Sequence, residues 1–157
     1  MTIPELNDNG LLPPGIHDAT LEQVPPLFCG TEYRQNLWNR AIVQFLPELK
    51  SGLGTAVSSV QYLVIGGSFL SDKERPSDVE LTTVIQPATP GEVCWRIQCM
   101  WRQNFQGWKQ SYGADYYPSL PGDNDFSLYF QYVGEKTALA KGLNAKDQRG
   151  VLRFTSW

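Results

Sequence analysis

The run SVQYLVI, residues 59–65, leaves the backbone little choice. Its β-branched and aromatic content marks a buried strand. It leads into Gly66, Gly67 and Ser68, and ten residues after the serine a second such run begins, DVELTTVI, residues 78–85. Helical patterns flank this pair. Thr31 is placed to cap a helix over residues 33–50, where Leu37, Ile42, Phe45 and Leu49, with Trp38 and Ala41, form an apolar stripe. Pro47 is expected to kink that helix or end it early. SGLGTA, residues 51–56, is expected to be a loop.

Downstream the alternation continues. TPGEVCWRIQCMWRQNF, residues 89–105, carries the clearest helical pattern. Thr89 and Glu92 have capping-box spacing, Pro90 suits the first helical position, and Val93, Ile97, Met100 and Trp101 line one face. GADYYPS, residues 113–119, predicts a short strand ended by Pro118. Residues 125–143 predict one helix with Phe126, Tyr129, Phe130 and Val133 on one side, weakened at Gly134 and stopped near Gly142. GVLRFTSW is the last strand. Alternating strands and helices predict an α/β or α+β class with a short mixed sheet. Residues 1–30, with proline pairs at Pro13-Pro14 and Pro25-Pro26, predict an extended arm laid on a domain of residues 31–157.

Composition narrows the function classes. A chain of 157 residues suits one domain with a core of its own. There is no apolar run long enough to span a membrane and no basic, apolar start typical of a signal peptide, so a cytoplasmic location is expected. Cys29, Cys94 and Cys99 lack CxxC spacing and are expected to be reduced packing residues. The formal charge of −3 argues against a large double-stranded nucleic-acid surface. It leaves room for a small anion site, since carboxylates that hold a cation attract phosphate.

Two short motifs carry chemistry. Gly66-Gly67-Ser68 after a strand exposes backbone N–H groups, which suits a phosphate. A plain turn uses the same residues, and the Walker pattern is absent. Asp78 and Glu80 flank Val79, so on a strand both carboxylates face one way. Such a pair is either a solvated strand face or a ligand pair for a hard cation, Mg²⁺ or Mn²⁺. Lys73 and Arg75, in the loop between the motifs, are surface charge or partners for pyrophosphate.

Taken together, Ile65, Gly66, Gly67, Ser68, Asp78, Val79, Glu80 and Leu81 resemble the signature of the DNA polymerase β type of nucleotidyltransferase. NGLLPPGIHDATLEQV, GGSFLSDKERPSDVE, DYYPS, DFSLYFQY, KTALAKG and the closing DQRGVLRF extend the likeness over nearly the whole chain. They resemble a family of small, uncharacterised bacterial and phage-associated proteins that carry this signature. The resemblance implies a nucleotidyltransferase-like fold. It implies that Asp78, Glu80 and a third carboxylate on a later strand, Asp115, hold Mg²⁺ or Mn²⁺, and that Gly66, Gly67 and Ser68 hold phosphates with Lys73 and Arg75. Glu80 stands where Asp is frequent. Asp123 and Asp125 are rivals for the third place, but PGDNDF has the look of a turn and helix cap.

The implied activity is transfer of a nucleoside monophosphate from a nucleoside triphosphate to a hydroxyl of a protein or an RNA. A toxin–antitoxin or phage-defence setting follows by analogy of fold alone. An inactive binding module of the same fold, an antitoxin or inhibitor, is the rival, and a nuclease using the same carboxylates is a third option. His17 is expected to make a structural hydrogen bond. Trp101, Phe105 and Trp108 are expected in the core or on a partner surface, with base stacking the lesser option. Lys136, Lys141, Lys146 and Arg149 are expected on a solvated face or against a nucleic-acid acceptor.

Overall fold

A computed structural model describes residues 2–157. Its centre is a five-stranded mixed sheet in the order β1-β5-β2-β3-β4. The strands are β1 (Gly15–Asp18), β2 (Val60–Gly66), β3 (Val79–Ile85), β4 (Ala114–Ser119) and β5 (Gly150–Phe154). β2 lies in the middle, antiparallel to both β3 and β5. The β1–β5 and β3–β4 pairs are parallel. The expected mixed sheet with flanking helices is therefore the fold class observed. β1 comes from the proline-rich arm, whose short, half-exposed strand gave no alternating pattern to read.

Among the described residues six α-helices flank the sheet: α1 (Pro25–Phe28), α2 (Glu32–Trp38), α3 (Phe45–Leu53), α4 (Gly91–Tyr112), α5 (Phe126–Tyr129) and α6 (Glu135–Lys141). The Thr31 hydroxyl caps α2, accepting from the Arg34 N–H at 3.2 Å. Pro47 does not end the helix that follows. A π-helical stretch over residues 39–44 joins α2 to α3, and the helix runs on to Leu53. A proline lacks the N–H of the regular ladder and crowds the carbonyl four residues back; a wider turn just upstream is a usual accommodation. The expected loop at 51–56 is instead the end of α3 and a 3-10 turn.

Three further expectations are corrected. Pro90 is itself the cap residue of α4, so Thr89 and Glu92 stand one place out of register and form no capping box. β4 continues through Pro118, which an edge strand tolerates. The single helix expected over 125–143 is two short ones. Gly134 (φ +81°) leaves the helical region between them, and its N–H bonds to the Ala145 carbonyl at 3.0 Å.

Side chains alternate across the sheet. On one face Leu63, Ile65, Leu81, Tyr116 and Phe154 pack with Phe45, Leu49 and Trp108 of the helices in one core. Trp108 meets Phe45 edge-on at 5.2 Å, and the Trp101 indole donates to the Tyr116 carbonyl at 2.6 Å, so these aromatics are structural. The other face carries a smaller cluster of Val64, Val151 and Phe130. This partial cover leaves space above one end of β3 and β4. Among the described residues no helix is long and apolar enough to cross a membrane, and all three cysteines are free.

Candidate functional site

Asp78, Glu80 and Asp115 meet at that open end. Val79 points into the core, so Glu80 turns to the other face, and Asp78 stands just before the strand on the same side. α4 returns the chain to start β4 beside β3, and the parallel register sets Asp115 directly opposite Glu80. One oxygen from each of the three carboxylates lies within 4.8 Å of the others. All three residues are half-buried.

This gathering is costly without a cation. Burial, then the Asp78 and Asp115 charges, push the Glu80 carboxyl up to about 7. Burial and Asp115 push Asp78 up as well. The Lys109 amine, from the end of α4, lies 3.7 Å from both Asp78 and Asp115 and offsets part of the repulsion. Burial, then the neighbouring carboxylates, keep the Tyr117 phenol protonated well above its ordinary range.

The glycine turn is shaped to this cluster. Gly67 has φ +80°, and a Cβ there would sit 2.6 Å from Glu80 Oε2. A Cβ on Gly66 would lie 2.7 Å from Phe130 Cβ. α2 holds the loop that follows. The buried Arg34 guanidinium donates to the carbonyls of Phe69 (2.7 Å), Ser71 (2.8 Å) and Lys73 (2.5 Å). The Tyr33 hydroxyl donates to the Pro76 carbonyl at 2.7 Å.

The carboxylates line a cleft of about 420 Å³ together with Gly67, Ser68, Lys73, Lys109, Lys136 and Arg149. Of the residues predicted from sequence, Asp78, Glu80, Asp115, Gly67, Ser68 and Lys73 come together there. Gly66 is buried at the end of β2, opposite Glu80 in the sheet. Arg75 is not a lining residue; its guanidinium sits over the Tyr33 ring at 4.6 Å. Asp125 caps α5, accepting from the Ser127 N–H at 3.0 Å, and Asp123 accepts from the Asn124 N–H in the preceding turn. His17 donates from Nε2 to the Pro13 carbonyl at 2.7 Å, away from the cleft.

Arg149 is the functional candidate that the sequence concealed. It was expected on a solvated face or against a nucleic-acid acceptor, yet it is buried, its Nη2 donating to the Gly67 carbonyl at 2.7 Å. Its Nε is buried with no hydrogen-bond partner among the described residues. Its one sequence signal is its place directly before the apolar strand GVLRF, which carries it into the sheet. Lys136 likewise faces the cleft, while Lys141 pairs with Asp72 at 2.7 Å.

The donor set suits a hard divalent cation. Three carboxylates offer only oxygen, the ligand type Mg²⁺ and Mn²⁺ prefer, and a cation between them would relieve the repulsion that raises Glu80. No curated protein and no solved structure matches this chain. Residues 4–153 match the model of a family of unknown function, DUF6932. Since that match spans nearly the whole sequence, the chain belongs to the DUF6932 family.

Proposed function

We propose that this protein is a divalent-metal-dependent nucleotidyltransferase of the DNA polymerase β type. It moves a nucleoside monophosphate from a nucleoside triphosphate to a hydroxyl of a protein or an RNA. The observation that carries the reading is the meeting of Asp78, Glu80 and Asp115 beside the Gly67–Ser68 turn, in one cleft with Lys73, Lys136 and Arg149. Carboxylates and phosphate-binding groups converge there from four separate stretches of chain.

In this reading Asp78, Glu80 and Asp115 hold Mg²⁺ or Mn²⁺, which when bound supplies charge stabilisation at the phosphate undergoing transfer. Gly67 and Ser68 cradle the outer phosphates, and Lys73, Lys136 and Arg149 neutralise them. The acceptor oxygen forms a bond to the α-phosphorus as the bond to the bridging oxygen breaks. Pyrophosphate leaves with that electron pair toward the three cations. The acceptor proton passes to the Asp115 carboxylate. A toxin–antitoxin or phage-defence role in the cytoplasm is the setting that goes with a small transferase of this kind.

One observation favours a second reading, a metal-free binding module. The Lys109 amine already bridges Asp78 and Asp115. Titration of Mg²⁺ with ATP, GTP, CTP and UTP against the wild type and Asp78→Ala separates the two. The transferase reading expects metal-dependent binding of a triphosphate that the variant loses. A folded wild type that binds no triphosphate with metal would sink it.

A further inference from the structure

A second cleft, of about 550 Å³, opens beside the first and shares Glu80 and Asp115 with it. Its walls are of another kind. Tyr117 and Phe126 stack with ring centroids 4.9 Å apart, and Phe126 meets Tyr129 edge-on at 6.4 Å. Tyr129 and Tyr132 complete the wall at 71% and 48% exposure, so their ring faces are open to a ligand. Both tyrosines also border the first cleft, which makes the two lobes continuous.

The lobes differ in charge. Lys73, Lys136 and Arg149 face the first. The aromatic lobe has no lysine or arginine among its described lining residues and carries Glu80, Asp115 and Asp125. The cations that attract a phosphate chain stand on the first side alone, while a neutral planar ring suits the aromatic side. A ligand that spans both lobes is a polyanion at one end and an uncharged aromatic ring at the other, with Glu80 and Asp115 between.

We infer that the lobe formed by Tyr117, Phe126, Tyr129 and Tyr132 seats the nucleobase of the donor triphosphate. The inference rests on the nucleotidyltransferase reading and adds the direction in which the donor lies. Every base has a stacking face, so the lobe selects a ring in preference to a particular base.

The test compares two ligands on the full chain. Mg·ATP carries the ring, and Mg·tripolyphosphate carries only the anionic end. Each is titrated calorimetrically into the wild type, Tyr129→Ala/Tyr132→Ala and Tyr129→Phe. Both tyrosines are exposed, so the double variant is expected to fold. It should lose about tenfold more affinity for Mg·ATP than for Mg·tripolyphosphate, with Tyr129→Phe like the wild type. Unchanged Mg·ATP affinity in the double variant overturns the base-seating inference and leaves the transferase reading standing. A wild type that binds neither ligand overturns both.

Discussion

Glu80 makes the metal-free protein less stable than its packing allows, and Glu80→Gln should show it. The fold raises this carboxyl from an ordinary 4.5 to about 7, through burial first and the Asp78 and Asp115 charges second. A raised carboxylate means that the folded chain holds its proton more tightly than the unfolded chain does. Stability from this group is therefore complete below the unfolded value. It falls as pH rises between 4.5 and about 7 and stays lost above that window. The difference corresponds to about 3 kcal/mol at about 1.4 kcal/mol per pH unit. Asp78, raised for similar reasons, adds in the same direction. The attraction of Arg149 and Lys109 is already contained in the net Glu80 shift, and solvent screening at this half-buried carboxylate reduces the figure to about 2 kcal/mol.

With chelator present, Glu80→Gln should thus be more stable than wild type by about 2 kcal/mol at about pH 8, or roughly 4–8 °C in Tm, and nearly equal to it at about pH 4. If the proposed site binds the ion through the intact triad, millimolar Mg²⁺ should raise the wild-type Tm and narrow or reverse the gap. Thermal unfolding at the two pH values, with and without Mg²⁺, is a sufficient assay. A variant no more stable than wild type at the higher pH would refute the claim that these carboxylates are held together at a cost. An equal gain at both pH values would refute titration of Glu80 as its cause.

Gly67→Ala forces a side chain into a left-handed backbone and against Glu80, so it should cost about 1–2 kcal/mol in denaturant unfolding. It should also weaken Mg·triphosphate binding by more than that strain explains. Arg34→Ala strips donors from the carbonyls of Phe28, Phe69, Ser71 and Lys73. The expected loss is about 3 kcal/mol or more, with faster proteolysis in the loop after Gly67. Lys109→Gln removes the cation that competes for Asp78 and Asp115, so Mn²⁺ affinity, read by calorimetry, should rise several-fold. A fall in affinity would mean that Lys109 organises the carboxylates and does not compete for them.

The parts legible in the sequence were those written in short-range pattern. SVQYLVI and DVELTTVI announce β2 and β3 because burial selects their residue types along one stretch. Asp78 and Glu80 are one residue apart, so strand alternation alone puts them on one side. Errors came where a local rule met a longer-range demand. Pro47 is a helix breaker until a π-helical stretch upstream makes room for it. Gly134 looks like a weak point within one helix; with its N–H bonded to the Ala145 carbonyl, it is the break between two. β1 exists because β5 offers it an edge, and nothing within GIHD says so.

The same distinction governs the site. Asp115 was picked out by the resemblance, which asks for a third carboxylate on a later strand, and the parallel crossover through α4 sets that strand beside the motif. Arg149 and Lys136 were not, since a basic residue in a polar stretch has the same appearance whether water or a cleft receives it. The location of Arg149 depends on β5 lying next to β2, a pairing between residues far apart in sequence. That pairing brings the Arg149 guanidinium under the Gly67 carbonyl and into the field of Glu80. A carbonyl bonded from below keeps the turn rigid, and a rigid turn keeps its N–H groups aimed. Arg149→Met would therefore be expected to lower phosphate affinity in two ways, by removing charge and by loosening Gly67. Arg149→Lys restores the charge without the guanidinium's planar set of donors. If only charge matters, binding of Mg·tripolyphosphate recovers in Arg149→Lys. If the hold on Gly67 matters as well, recovery is partial.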